Sequence, residues 1–266
     1  MVRRQVVIDR KIESFRVTSE MVIDTDELRL DASFYNAQVI EAMAALERSG
    51  MVLKTVRELT ERVFIPNRFK RNYVDAAHGI PFLQGGHLMQ FKPDDMKYLS
   101  TLTTANMESL LIREGWVLIT RSGTVGRVAL VTSQWDGWAA SEHIFRVVPH
   151  RPSECTVGYL AAFLGSPIGQ LQLSRQVYGA VVDELTEDHI RSIRIPLPMT
   201  AAQKRQVQHI AELTVEAATA RAAAVTLAEQ ADMEMSALLP EVALPEDEPA
   251  EATLLAKTAD MIRYPS

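Results

Sequence analysis

Apolar and polar positions change period several times along the chain. Residues 1–30 hold short extended runs, "RQVVI", "SFRVTS" and "EMVI", which predict an extended N-terminal segment. From 31 to 50, "DASFYNAQVIEAMAALERSG", the period becomes helical. Val39, Ile40, Met43 and Leu46 form one stripe, Asp31 or Ser33 can cap the start, and Gly50 ends it. Residues 52–199 then alternate short β-like runs with turns: "GIPFLQGG", "GWVLITR", "RVALVTS", "HIFRVVP" and "IRSIRIPLP". Helical patterning interrupts them near 157–164 and 183–193. Strands without regularly spaced helices predict an α+β fold, with one mixed domain over 31–199 rather than a βαβ alternation.

After "PLPMTAAQ" the pattern changes sharply. Residues 200–239 hold no Gly, alanine dominates, and the spacing predicts one continuous helix of roughly 60 Å at about 1.5 Å per residue. Ile210, Leu213, Ala217, Ala220, Ala224, Leu227, Ala231 and Leu238 fall on an a/d heptad seam broken at Glu234. A small domain does not need such a length to close its own core. The seam therefore implies a partner helix, and its small residues allow two backbones to approach closely. The alternative is a single helix lying across its own domain. Residues 240–266 open with the acidic, proline-rich "PEVALPEDEPAEA", which predicts a partly disordered tail. No internal repeat is visible.

The stretch "GWVLITRSGTVGRVALV" (115–131) places two glycines between apolar runs. It lacks the GxxxxGK[ST] of a Walker loop, and "RVALV" is strand-like where a dinucleotide fingerprint opens a helix. An RNA-clamping GxxG loop would join two helices. The pattern predicts a β-hairpin whose turn needs positive φ at Gly123 or Gly126.

Catalytic signatures are missing too. Neither the N/D-P-P-Y/F/W nor the FxGxG mark of an amino-methyltransferase occurs. "PDDMKY" holds Asp95-x-Lys97 without the earlier acid of a nuclease, which predicts a surface turn. The six histidines lack HxxxH or HExxH spacing, GxSxG is absent, and Cys155 stands in a polar loop without motif context. No catalytic residue, metal site or cofactor is expected. The single cysteine excludes an internal disulfide and makes a reducing cytoplasm the default compartment. No apolar run is long enough to span a membrane, and the opening run is too short for a signal peptide.

The net charge of −6 argues against a nucleic-acid partner until its distribution is considered. Residues 201–266 carry 5 basic and 11 acidic side chains, which leaves 23 of each sign in residues 1–200. Within that neutral body, "RVFIPNRFKRNY" (62–73) interleaves four cations with Phe64, Phe69 and Tyr73 and has no acid. Such a patch can lie on a polyanion, or be a solvated loop of snorkelling cations.

Five segments in this order resemble the specificity subunit of type I restriction–modification systems. They are "RLDASFYN" (29–36), "GIPFLQGGHL" (79–88), "GWVLITRSGTVGRVALV", "ASEHIFRVVP" (140–149) and "YGAVVDELTEDHIRSIRIPLPMTAAQKRQVQHIAEL" (178–213). The last is similar to the family's passage from recognition domain into its long helix, with Ala202 where the family often has an acid. The usual subunit has two recognition domains and two helices, whereas one of each is legible here. The resemblance therefore implies a half-length, non-catalytic DNA-recognition subunit. It would act as a homodimer on a bipartite, symmetric target. Its partners would be double-stranded DNA, adenine methyltransferase subunits and a restriction/translocase subunit. A stand-alone DNA-modifying or DNA-cleaving enzyme and a structural adaptor remain as alternatives.

Phosphate and base contacts call for cations, amides and hydroxyls in loops. The candidates are Arg68, Lys70, Arg71 and Tyr73 in the basic segment, and Gln84, His87, Gln90 and Lys92 after the "GIPFL" strand. Arg121, Ser122 and Thr124 join them at the hairpin, and Ser141 and His143 beside the "WDGWAA" turn. Trp135 and Trp138 either stack on DNA or cap a core.

Overall fold

A computed structural model describes residues 37–93, 95–102, 104, 106–175 and 184–238, with Thr18, Ser19, Val22 and Phe34 as isolated positions. The sequence expectations for residues 1–30, for the caps Asp31 and Ser33, and for the tail 240–266 lie outside these. The chain divides into two units, residues 1–223 and 224–266.

The first helix, α1 (Ala37–Arg48), buries Val39, Ala42 and Leu46, and Gly50 follows it at φ +66°. Strand β1 (Val52–Thr55) leads into a one-turn helix, α2 (Val56–Leu59). Thr55 and Glu58 form its capping box, and β2 (Thr60–Phe64) continues the chain. The remaining strands are β3 (Tyr73–Val74), β4 (Gly79–Leu83), β5 (Lys97–Ser100), β6 (Val117–Thr120), β7 (Val128–Leu130), β8 (Ala139–Ala140), β9 (Ile144–Pro149) and β10 (Arg194–Leu197). Between them lie α3 (Met107–Leu110), α4 (Val157–Gly165), α5 (Pro167–Ser174) and α6 (Glu187–Arg191), and α7 (Ala201–Leu238) closes the described chain.

Among the described residues the strands form two four-stranded sheets, β2-β9-β6-β7 and β3-β5-β4-β8, and the pair β1-β10. Pairing is antiparallel except between β4 and β8. This is the expected mixed α/β arrangement with a long C-terminal helix. The expected hairpin is β6–β7, with Ile119 opposite Val128, and Gly123 and Gly126 at φ +76° and +80°. Only glycine adopts that backbone without a Cβ penalty. The helix α5 was not legible as a separate element, although Ser166 caps it and Pro167 opens it.

The central strands of the first sheet, β6 and β9, are buried on both faces, so successive residues point into two different cores. Val117, Ile119, Phe145 and Val147 face a core shared with Leu160 and Leu164 of α4 and Ile190 of α6. Leu118 and Ile144 face a second core with Leu83, Leu88 and Ile112, onto which Trp116, Trp135 and Trp138 pack. Trp135 and Trp138 thus take the core-capping alternative. The start of α7 joins the first core through Val207 and the buried Ala211. A Cβ on Gly158 would stand 2.4 Å from the Ala211 carbonyl oxygen, so only glycine lets α4 approach α7 this closely.

Candidate nucleic-acid interface

Register decides which loops meet. In the first sheet Phe64 lies opposite Arg146 and Thr120 opposite Ile144, so the chain leaves β2, leaves β6 and enters β9 at one end. The second sheet delivers its own loops to the same place. Leu83 pairs with Ala140, and the Ser141 amide donates to the Leu83 carbonyl at 2.9 Å. The basic segment after β2, the loop after β4, the hairpin turn and residues 141–143 converge there.

Side chains cross between these loops. Arg71 binds the carboxylate of the buried Glu142 at 2.7 Å, and the Glu142 oxygen lies 3.8 Å from the His143 ring. The other ring nitrogen of His143, Nδ1, meets Ser122 Oγ at 2.9 Å. Burial pushes the Glu142 pKa up, but its own backbone N–H and Arg71 outweigh that, so the net shift is downward. Glu142 is therefore a carboxylate at neutral pH and holds Arg71 at the mouth of the cluster. Arg121 is paired with Glu184 at 2.7 Å, and its amide donates to the His143 carbonyl.

The other sequence candidates divide by exposure. Arg68, Lys70, Gln90 and Thr124 are exposed, and Gln84 and Lys92 are half-buried. Tyr73 is exposed, with Lys97 Nζ 5.4 Å from its ring centre. Two candidates turn inward. His87 is 3% exposed, with Nε2 on Asp95 at 3.0 Å and Nδ1 accepting from the Gln84 amide. Ser141, equally buried, donates to Glu142 and accepts from the His143 amide. Both shape loops instead of presenting side chains to a ligand. Asp95 is exposed and serves His87, in keeping with a surface turn.

Four participants escaped the sequence reading: Glu142, Glu184, Lys97 and Arg221. Arg221 of α7 donates to the Leu88 carbonyl at 3.1 Å and to the Gln90 carbonyl, and its guanidinium stands 6.0 Å from the Trp135 ring centre. The helix thereby grips the loop that carries Gln90. Only long-range geometry reveals it, because Arg221 sits in an otherwise alanine-rich run.

On α7 the expected partner seam is largely uncovered. Ile210 and Leu213 are 42% and 51% exposed, and Ala217 and Ala220 are exposed as well. In the second unit Leu227 and Ala231 are exposed and Ala224 is half-buried. Val207 and Ala211, about 60° and 100° around the helix from Ile210, take the contact with the core. Beside that contact, Val157, Gly158, Val215, Thr219 and Ala223 line an apolar groove of about 720 Å³.

No group of three or more His, Cys, Asp or Glu side chains that could hold a metal occurs among the described residues. Burial pushes the Cys155 thiol up to about 12, so it is no thiolate nucleophile at neutral pH. No described helix is long and apolar enough to cross a membrane.

Comparison with known proteins assigns the class. Residues 60–223 match the family described as the type I restriction modification DNA specificity domain. The match covers more than half of the chain, and the chain belongs to that family. Three solved structures are similar. The HsdS subunit of Thermoanaerobacter tengcongensis is 17% identical, with 75% of this chain and 50% of that one covered and a TM-score of 0.43. A chain from a structure concerning complex assembly and conformational transition of the type I R-M system is also 17% identical. There the coverage is 75% and 51%, and the TM-score is 0.47. The type I restriction-modification S subunit of M. genitalium is 10% identical over 60% of this chain and 38% of that one, with a TM-score of 0.42. The chain spans about half the length of the first two. None of the curated proteins compared with the chain matches it.

Proposed function

We propose that the chain is the sequence-reading subunit of a type I restriction–modification adenine methyltransferase complex, with no catalysis of its own. The observation that carries the reading is the meeting of four polar loops at one sheet end within the family's DNA-specificity domain. Two copies, paired through the exposed seam of α7, would present two such ends to a gapped, two-fold target. Methyltransferase subunits would dock on the same helices, and a restriction/translocase subunit would complete the assembly. The type I system among the similar structures supports a multi-subunit setting.

The test is the host's adenine-methylation pattern with and without this protein. A symmetric, gapped motif that disappears on deletion is expected. An asymmetric motif would replace the homodimer with a hetero-pair, and an unchanged pattern would sink the recognition role.

Single substitutions separate the cations. Arg68→Ala removes an exposed charge, and should lower the slope of log K against log salt by about 1 with little change in target preference. Arg71→Ala should weaken binding further, because it leaves the Glu142 carboxylate uncompensated beside the DNA. Equilibrium binding by the assembled complex at several salt concentrations measures both. Unchanged affinity and slope in both variants would remove the basic segment from the interface.

A further inference from the structure

A second feature starts at the basic segment and runs away from the other three loops. Two depressions, of about 900 and 550 Å³, share Arg62, Arg113 and Trp116 and so form one trough. One end is walled by Asn67, Arg68 and Lys70, next to Arg71 in sequence, and the other by His150 and Arg151. The two ends correspond to opposite ends of β2, because Thr60 pairs with Pro149 while Phe64 pairs with Arg146. A five-residue strand covers roughly 16 Å at about 3.3 Å per residue, comparable to about five base-pair steps of 3.4 Å.

The chemistry of this trough is unlike that of the whole chain. Its walls carry five cations, Arg62, Arg68, Lys70, Arg113 and Arg151, against the two carboxylates of Glu61 and Glu108, in a protein of net charge −6. Glu108 is itself occupied by Arg113 at 3.0 Å. The floor is rigid. Arg62 lies 4.0 Å over the Phe64 ring, and Phe64 meets Trp116 edge-on at 6.0 Å. Cations distributed from one end of the trough to the other suit a regular polyanion, and the Asn67 and Asn106 side-chain amides add neutral donors for phosphate oxygens.

We infer that this trough carries the DNA backbone flanking the bases that the loops read. The inference rests on the proposed recognition role and adds to it a contact with duplex outside the target. Base choice stays with the loops. The trough contributes affinity, salt dependence and a longer footprint on the flank nearest Arg151.

Flank length tests it. Two duplexes carry the host's methylated motif, one with about three and one with about twelve base pairs on each side, and each binds the full chain in its assembled complex. The wild type should bind the longer duplex more tightly, by roughly tenfold near 0.1 M salt, with a steeper salt slope. Combined Arg62→Ala and Arg151→Ala should abolish that difference and leave the short duplex unaffected. The charge-preserving pair Arg62→Lys and Arg151→Lys should retain most of it. An equal loss on both duplexes would overturn the inference, as would wild-type binding that ignores flank length, which needs no variant. Absence of motif-dependent binding to either duplex would instead overturn the recognition role.

Discussion

Arg146→Ala should destabilise the first unit by about 4 kcal/mol, a large share of the ~5–15 kcal/mol that holds a domain together. Arg146 is fully buried between the two four-stranded sheets. Its guanidinium donates to four carbonyls: Ser141 at 2.7 Å, Ile144 at 2.6 Å, Leu110 at 3.0 Å and Ala140 at 2.5 Å. Three of those carbonyls lie outside β9, so one side chain ties the strand to the β8 region and to the end of α3. Burial pulls the Arg146 pKa down to about 9 while Glu142 opposes the shift, so the group is still charged at neutral pH.

Truncation removes the guanidinium from all four acceptors; the Ser141 carbonyl keeps the Ile144 amide at 3.1 Å, and each acceptor left without a partner costs about 1–3 kcal/mol before relaxation. Methionine at this position fills the volume but not the hydrogen bonds, and should recover only part of the loss. Urea unfolding monitored by circular dichroism measures all three proteins. A loss below about 1 kcal/mol for Arg146→Ala would mean that the carbonyls find other partners. Because Arg146 holds the backbone that presents Glu142 and His143, DNA binding should fail together with stability.

Arg146 also shows where the sequence pattern misleads. In "HIFRVVP" it occupies the polar position of an alternating strand, which normally faces water. Here both faces of β9 are covered, and all six residues of the strand are buried. Period 2 tells which residues share a face, but not whether a second layer covers it. The hairpin and α7 were legible because local chemistry decides them, through two glycines at positive φ and an alanine-rich run of helical period. For α5 the Ser-Pro start was present in the chain, but the helical patterning recognised near 157–164 stops short of it.

The candidate interface was legible in part for the same reason. Arg68, Lys70 and Arg71 stand out as a run of cations with no acid between them. Glu142, Glu184 and Arg221 are noticed only once register brings distant segments together, across 71, 63 and more than 130 positions. His87 shows burial that composition does not reveal. A histidine in a glycine-rich loop suits a ligand contact by composition, yet its partner Asp95 and the short turn at 85–88 draw it inside.

The long helix leads to the second large effect. Ala217→Pro should abolish assembly while the domain ahead of it stays folded. Proline within an α-helix removes the hydrogen bond to residue i−4 and clashes with that carbonyl, at a cost of ~3 kcal/mol. The helix can escape most of that cost by breaking near Leu213. Residues before the break keep their place, because Val207 and Ala211 are anchored in the core and Gly158 holds α4 against the Ala211 carbonyl. Two features are lost beyond it. Ala220 no longer continues the line of Ile210 and Leu213, so the seam cannot pair over its length. Arg221 is carried away from the Leu88 and Gln90 carbonyls, which frees the loop beside the interface.

Sedimentation of the variant should show a smaller species than the wild type, and co-purified methyltransferase should disappear, with a melting temperature within a few degrees. Ala220→Glu distinguishes the two losses, since position 220 is on the seam and is not i,i+4 to Arg221. It keeps the helix and the Arg221 contact but places a charge on the seam, so it should weaken pairing and leave the loop protected from hydrogen exchange. Wild-type sedimentation for both variants would refute pairing through this seam, and a single helix serving only its own domain would be the better account of α7.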